Sequence, residues 1–352
     1  EVERQTADSD IMRVLIPGCW DCMHAGHFNA IRQAKMTFLK PGMDVVLVVA
    51  IHSSEGIAGQ KGPPVLTDDE RLQMIKSVKW VDEIVTMVPY MPMTPAFLDS
   101  VRADFVVHGD DLPIHKGSGT GMYSESIEAG RCKIIKRTEG VSTTNIIGRL
   151  LTLSQPDDRP APPEATQGFL STTQRLSLFR QTATDAPPKL LSESKRVIYV
   201  SGVFDMLHAG HVAFLQTAAA LGDFLLVGLF NDESAAKKEG KVIMSMHERA
   251  MCLMALACVD DVVFNAPLQV TQELIVSMNV GAVVCGKTQL DRQDPVAEEL
   301  GILKRIDSKA SLTVEMIAER VCIRRLQYID RNEVCSQKER DYRDRKQYVP
   351  EV

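Results

Sequence analysis

Residues 18–27 read GCWDCMHAGH and residues 202–211 read GVFDMLHAGH, so one pattern stands twice in a chain of 352 residues, 184 positions apart. Each copy follows a short apolar run, Met12–Ile16 or Arg196–Val200, and precedes a run of helical spacing, Phe28–Leu39 or Val212–Leu221. The pattern therefore sits where a strand ends and a helix begins. In an open α/β sheet that edge is where ligands bind, and the helix directs its free N–H groups and positive dipole end towards them. Gly26 lets a ligand approach the backbone between the two imidazoles. His24 and His27 thus present two N–H donors to one anion, and a polyphosphate is the ligand that suits them.

Outward from this point the first half alternates apolar runs with amphipathic stretches. Strands are predicted at Asp44–Ile51, Val81–Val88, Phe105–His108 and Lys133–Lys136, and helices at Thr67–Lys79, Thr94–Arg102 and Ser142–Leu153. The helix from Thr67 opens on TDDE, a capping-box signature. The second half repeats the order with strands Phe224–Phe230, Asp261–Phe264 and Ala282–Cys285. Its helix Ser245–Leu256 carries His247-Glu248-Arg249 where the first copy carries Asp69-Glu70-Arg71. Apolar strands without alternation, separated by helices, predict a parallel sheet covered on both faces. The expected fold class is α/β: two tandem Rossmann-like, doubly wound parallel-sheet domains. We expect a first domain at 11–153, a Pro/Ser-rich linker at 154–194 with a short ordered piece around Phe169–Phe179, a second domain at 195–330 and a charged tail at 331–352. The tail has little apolar periodicity from about Arg324 and reads as a solvated or frayed helix.

Composition narrows the function. A net charge of −6 argues against a nucleic-acid-binding face. No apolar run approaches the ~20 residues needed to span a bilayer, and the acidic first ten residues do not resemble a signal peptide. Most of the eight cysteines, among them Cys252, Cys258, Cys285 and Cys322, lie in apolar segments and are expected to be buried free thiols in a reducing compartment. Cys19 and Cys22 form a C-x-x-C, the spacing of a redox pair or half a zinc site. The repeat has Val203 and Met206 there, and no second C-x-x-C supplies further ligands. The histidine pair likewise lacks an evident third ligand, so no protein-held metal site is expected.

Two more elements carry phosphate chemistry. In KRTEGVSTTNIIGRLL (136–151), Arg137 ends a strand, Gly140 permits a turn, and Ser142 and Thr143 open a helix, forming a second anion cradle. In GQKGPPV (59–65), Lys61 is expected in a loop that brings a cation over bound phosphate. A capping serine and a surface lysine are ordinary features when alone. Together with the histidine pair they describe a triphosphate held between two helix ends.

This set resembles the cytidylyltransferases, through the H-x-G-H of His24–His27 and the R-T-x-G-V-S-T-T of Arg137–Thr144. The resemblance covers about residues 12–153 and 196–330. It implies transfer of CMP from CTP to a phosphorylated alcohol, with release of pyrophosphate and with Mg2+ as the counter-ion of CTP. The tandem arrangement points to phosphoethanolamine as acceptor and CDP-ethanolamine as product, with phosphocholine the alternative. By resemblance, His24, His27, Lys61 and Arg137 are catalytic. Gly18, Cys19, Gly26, His108, Asp110, Gly140, Ser142 and Thr143 bind CTP, and Asp21, Lys61 and Asp111 bind phosphoethanolamine. The resemblance also implies a cytoplasmic protein, peripheral to the endoplasmic reticulum membrane, whose domains pair within the chain or between copies in a homodimer.

The second copy drifts. Asp205, His208, His211 and Arg305 are read as a remnant site. Glu239 falls at the place of Lys61, with Lys237, Lys238 and Lys241 close by. Cys285 and Lys287 replace His108 and Asp110, and Ser308 replaces Gly140. The first domain is therefore expected to be catalytic and the second a weakened copy. A nucleotide sensor with both sites inactive and a dinucleotide-forming adenylyltransferase are the competing readings.

Overall fold

In the computed structural model, residues 11–114, 119–153, 172–180, 195–287, 293–307, 311–345 and 349–352 are described. Strand β1 (Ile11–Gly18) buries consecutive side chains, Val14, Leu15 and Ile16, as a strand covered on both faces must. After it come α1 (Ala25–Met36), β2 (Asp44–His52), α2 (Ser54–Lys61), α3 (Asp68–Lys76), β3 (Glu83–Val88), α4 (Pro95–Ser100), β4 (Phe105–Gly109), α5 (Ser124–Glu128), β5 (Cys132–Ile135) and α6 (Thr143–Leu153). All strand pairs are parallel, in the order β3-β2-β1-β4-β5. The order reverses between β1 and β4. A crevice opens there at the carboxyl ends of the strands, and Gly18 and Gly109 end the two strands that flank it.

A short helix, α7 (Thr172–Arg180), precedes the second unit. That unit consists of β6 (Val197–Gly202), α8 (Ala209–Ala219), β7 (Phe224–Leu229), α9 (Asp232–Glu239), α10 (Met246–Met254), β8 (Asp261–Phe264), α11 (Gln272–Ser277), β9 (Val280–Gly286), α12 (Pro295–Glu299), β10 (Leu303–Ile306) and α13 (Val314–Ile323). Its sheet, β10-β9-β6-β7-β8, is the first one over again. Helix α14 (Arg325–Arg345) ends the helical part of the chain. Among the described residues no helix is long and apolar enough to cross a membrane.

The two units meet about a pseudo-twofold. Helix α1 faces α10, and α3 faces α8. A two-residue antiparallel bridge joins Val78 to Leu256, with Lys79 N–H donating to the Ala255 carbonyl (3.0 Å) and Ala257 N–H to that of Ser77 (2.8 Å). One apolar cluster runs through both units, from Val14 and Phe28 to Leu225 and Val284. Helix α7 closes this seam: Phe179, fully buried, meets Trp80 edge-on at 5.6 Å, and the Phe179 carbonyl accepts from Lys79 Nζ at 2.5 Å.

The structure departs from the sequence reading in several places. Helix α1 starts three residues before Phe28, because His24 caps it. Lys61 ends a helix instead of riding a loop: Ser53 caps α2 through Gly56 N–H, and Gly62, at φ +86°, terminates it. Cys322 is exposed and Cys258 only half-buried. Helix α14 is not free in solvent, since it lies along α6. Most of the expected linker lies outside the described residues; of its ordered piece, only 172–180 is described.

Replacing Phe179 by Ala removes a ring packed across the seam and is expected to lower stability by about 3–5 kcal/mol. Urea denaturation monitored by tryptophan fluorescence checks this, and Phe179→Leu should lose less than half as much.

Candidate active site

The turn between β1 and α1 is strained in both units at matched places. Trp20 and Cys22 have φ of 54° and 44°, and their counterparts Phe204 and Met206 have 50° and 43°. Bulky side chains seldom adopt this region, so other contacts must hold the turn. Trp20 Nε1 donates to the Ala50 carbonyl at 2.9 Å, and its ring lies over Gly18, where any Cβ would collide at 2.6 Å. Arg71, fully buried, donates to the carbonyls of Cys19 (2.7 Å) and His52 (2.8 Å), tying the ends of β1 and β2 together. Arg249 does the same at Val203 and Phe230.

His24 is the N-cap of α1: its Nδ1 accepts the Gly26 N–H at 3.1 Å. The acceptor role leaves the proton on Nε2, which is then the free donor of the ring. The His27 ring lies 4.1 Å from that of His24, its Nδ1 buried without a hydrogen-bond partner among the described residues. Burial pushes both imidazoles down, His24 well below the usual range and His27 to about 3. His27 further depresses His24; Lys61 and Arg137 depress His27, and Arg137 and then Arg149 add to the effect on His24. The pair is therefore neutral near pH 7, with cations on its open side.

Lys61 lies 5.4 Å from the Tyr90 ring and stays charged. Cys19 raises its pKa most, Tyr90 and Asp111 add to that, and burial opposes. Arg137 follows β5. Its N–H donates to Asp110 Oδ1 (3.0 Å), and its guanidinium lies 3.5 Å from Asp111 and 3.0 Å from Glu339 of α14. Tyr342 of α14 donates to Asp110 Oδ2 at 2.7 Å and stacks its ring 5.5 Å from Arg137. Both Asp110 oxygens are thus engaged. His108 hydrogen-bonds the Gly109 carbonyl through Nδ1 at 2.9 Å and packs on Tyr123 at 4.6 Å. Gly140 takes φ +81°, Ser142 caps α6 by accepting from Asn145 N–H at 3.1 Å, and Thr143 Oγ1 reaches the Asp21 carbonyl at 3.5 Å. A Cβ on Gly26 would press on the His24 ring at 2.9 Å.

Asp21 fastens a loop from within. It is buried, and its two oxygens accept from Val65 N–H (3.1 and 3.0 Å) and Leu66 N–H (2.9 Å). It anchors the loop after Lys61, and Asp205 anchors Ile243 and Met244 in the same way. Asp111 is the more open carboxylate. The sequence reading missed the aromatic wall of His52, Tyr90 and Tyr123, in which His52 and Tyr90 lie 4.7 Å apart. A lone tyrosine in a proline-rich loop after a strand was the available signal.

The second unit keeps the frame and loses the charge. His208 caps α8 through Gly210 N–H at 3.1 Å and stacks on His211 at 3.9 Å. The Leu312 carbonyl oxygen, however, lies 2.3 Å from where a Gly210 Cβ would stand, and Glu239 ends α9 as Lys61 ends α2. Lys237 turns away to Glu233 at 2.7 Å, and Lys238 lies 5.4 Å from the Phe230 ring. Arg305 is not the counterpart of Arg137. It sits within β10 opposite Cys285, the register place of Ile134 opposite His108, and faces Glu298 at 3.7 Å. Counting from these strands places Ser308 at the position of Arg137, outside the described residues.

A family model described as cytidylyltransferase-like matches residues 15–149 and 199–330. The chain is 35% identical to an ethanolamine-phosphate cytidylyltransferase of Dictyostelium discoideum, over 93% of this chain and 95% of that one. It is 36% identical to one of Arabidopsis thaliana, over 96% and 86%. A human choline-phosphate cytidylyltransferase A is 36% identical over 43% of this chain and 40% of its own.

The depressed histidines have a consequence for stability. In the unfolded chain each titrates near ~6.5, whereas folded His27 takes up its second ring proton only at about pH 3. Between these values the unfolded state binds more protons, so stability falls as pH falls through that window, by up to about 1.4 kcal/mol per pH unit for each such group. Urea denaturation at pH 7, 6 and 5 should show a shallower decline for His27→Gln than for the wild type. Equal slopes would mean that His27 titrates normally in the fold.

Proposed function

The chain belongs to the cytidylyltransferase-like family, and from that premise we propose that it passes CMP from CTP to phosphoethanolamine, giving CDP-ethanolamine and pyrophosphate. The observation that carries this reading is the neutral pair His24 and His27, rings 4.1 Å apart and tilted by 34°, at a helix N-terminus, with Lys61 and Arg137 beside it. The near full-length likeness is to ethanolamine-phosphate relatives, and this favours phosphoethanolamine over phosphocholine.

In this reaction an oxygen of the phosphoethanolamine phosphate attacks the α-phosphorus of CTP. The new P–O bond forms as the bond to the α–β bridging oxygen breaks, and the electron pair leaves with pyrophosphate. The nucleophile is already an anion, so no base and no covalent enzyme intermediate are required. What the protein must supply is orientation and charge stabilisation. His24 Nε2–H and His27 donate to the phosphates, and Lys61 and Arg137 offset charge gathering on the leaving group. Gly18 and Gly26 let the nucleotide approach the backbone, and Gly140, Ser142 and Thr143 cradle the triphosphate at the start of α6. Cys19, His108 and Asp110 flank the nucleoside, and Asp111 takes the acceptor's ammonium beside Tyr123.

CTP enters with Mg2+ held by its phosphates and water. Asp110 is already engaged by the Arg137 N–H and by Tyr342. All eight cysteines are free, which supports a cytoplasmic setting. Phosphatidylethanolamine synthesis consumes the product, and this supports a site of action at the endoplasmic reticulum surface.

Pyrophosphate release from CTP tests the reading with phosphoethanolamine, phosphocholine and glycerol 3-phosphate as rival acceptors. Phosphoethanolamine should turn over fastest. The His24→Ala/His27→Ala double variant should lose at least about 10²–10³ in turnover, and His208→Ala/His211→Ala should stay within about twofold of wild type. Preference for phosphocholine would instead establish the alternative acceptor, and equal loss in both double variants would show that both units take part.

A further inference from the structure

The two units exchange one arginine each across the pseudo-twofold. Arg149, the seventh residue of α6, donates to Glu248 of α10 (2.9 Å) and to the Ile243 carbonyl (2.8 Å). Arg320, the seventh residue of α13, donates to both oxygens of Glu70 on α3 (2.6 and 2.9 Å) and lies 3.4 Å from the Val65 carbonyl. Glu70 and Glu248 are each the N3 glutamate of a capping box. The residue each arginine grips, Val65 or Ile243, is also the one whose N–H is held from within by Asp21 or Asp205.

The two grips differ in what they hold. The Val65 loop begins directly after Lys61, whereas the Ile243 loop follows Glu239. The Lys61 loop is also gripped twice more: Tyr328 Oη donates to the Pro63 carbonyl at 3.3 Å, and Arg331 reaches the same oxygen at 3.4 Å. Two prolines stiffen the loop, and Asp21 fastens its inner side. On its outer side the described residues that grip it, Arg320, Tyr328 and Arg331, all follow the second sheet in the chain.

We propose that the second unit and the helix that follows it position the first unit's cation: Arg320 of α13 and Tyr328 and Arg331 of α14 clamp loop Gly62–Leu66 and thereby fix the Lys61 ammonium over the phosphates. This rests on the nucleotidyl-transfer reading above. Arg320 is a positioning residue that acts through Lys61. It gives the degenerate unit a task its own pocket no longer performs.

A double-substitution cycle on the full chain tests the clamp. Misplacing a reacting group by about an ångström costs on the order of 10² in rate, so Arg320→Met should lower kcat about 10–100-fold with KM for CTP little changed. In the Lys61→Ala background the same substitution should change the residual kcat less than about twofold, and Arg320→Lys should restore most of the loss. An equal fold-loss in both backgrounds, or no loss in the first, overturns the proposal. Glu70→Gln keeps a residue competent for the capping box and serves if Arg320→Met folds poorly. Hydrogen exchange of the ligand-free protein adds a readout independent of turnover. The Val65 and Leu66 amides should lose protection in Arg320→Met or Glu70→Gln while Ile243 and Met244 keep theirs, and the reverse should hold in Glu248→Gln. Unchanged protection at Val65 and Leu66 removes the clamp even if the wild type proves to use another acceptor. A wild type that releases no pyrophosphate refutes the reaction and leaves the exchange result to judge the clamp.

Discussion

One hydrogen bond, from Gly26 N–H to His24 Nδ1, sets the terms for the rest of the site. It starts α1 at Ala25, and so fixes where the helix directs its free N–H groups. It commits the His24 proton to Nε2, which turns a titratable ring into a fixed donor. It also requires glycine at 26, because any side chain there would press on the ring that caps the helix. A capping serine would satisfy the same N–H, but it would offer no second donor on the far side. The imidazole bridges a helix end and a ligand in one rigid plane, and the second unit keeps the same bond at His208 although its pocket has changed.

Keeping two imidazoles neutral has an electrostatic corollary. With the pair uncharged, the formal cations beside it are Lys61 and Arg137, and both are moderated. Arg137 is shared with Asp111 and Glu339, and its neighbour Asp110 is held by Tyr342. Helix α14 therefore brings a carboxylate and a phenol to the groups expected to meet the nucleotide. A triphosphate entering this crevice meets an arginine already engaged by acids, so its net attraction is less than the count of basic residues suggests. In the second unit Glu239 stands where the first has Lys61, and the Leu312 carbonyl closes to 2.3 Å of the Gly210 Cβ position where the Val141 side chain stays 3.3 Å from that of Gly26. That change alone disfavours a polyphosphate there, whatever the histidines do.

The frame of this molecule was legible in the sequence because it rests on local rules. Unbroken apolar strands, a capping box at Thr67 and two copies of H-x-G-H were enough for two parallel sheets and for a site at the carboxyl end of β1, whereas the reversal of strand order between β1 and β4 comes from the structure. The missed parts were set by long-range contacts. Asp21 reads as a ligand because it precedes the histidines, yet two backbone N–H groups some 44 residues on claim it. Arg305 reads as the partner of Arg137 because an Arg sits near the right place, but strand register moves it three residues off. Helix α14 shows no apolar stripe, since it packs largely through polar ends such as Asn332 on the Thr144 carbonyl and Tyr342 on Asp110. Such polar docking leaves no periodic trace.

The duplication looks different once these contacts are counted together. A duplicated domain whose pocket decays is ordinarily free to drift or be lost, because nothing in the surviving site depends on it. Here the copies met about a pseudo-twofold, each placing one arginine on the other's capping-box glutamate and on the loop that follows the helix after its second strand. The two grips are equivalent in pattern. The Ile243 grip holds a loop that follows Glu239, while the Val65 grip holds one that follows Lys61. The asymmetry lies in what each loop carries, since the interface itself kept its twofold pattern.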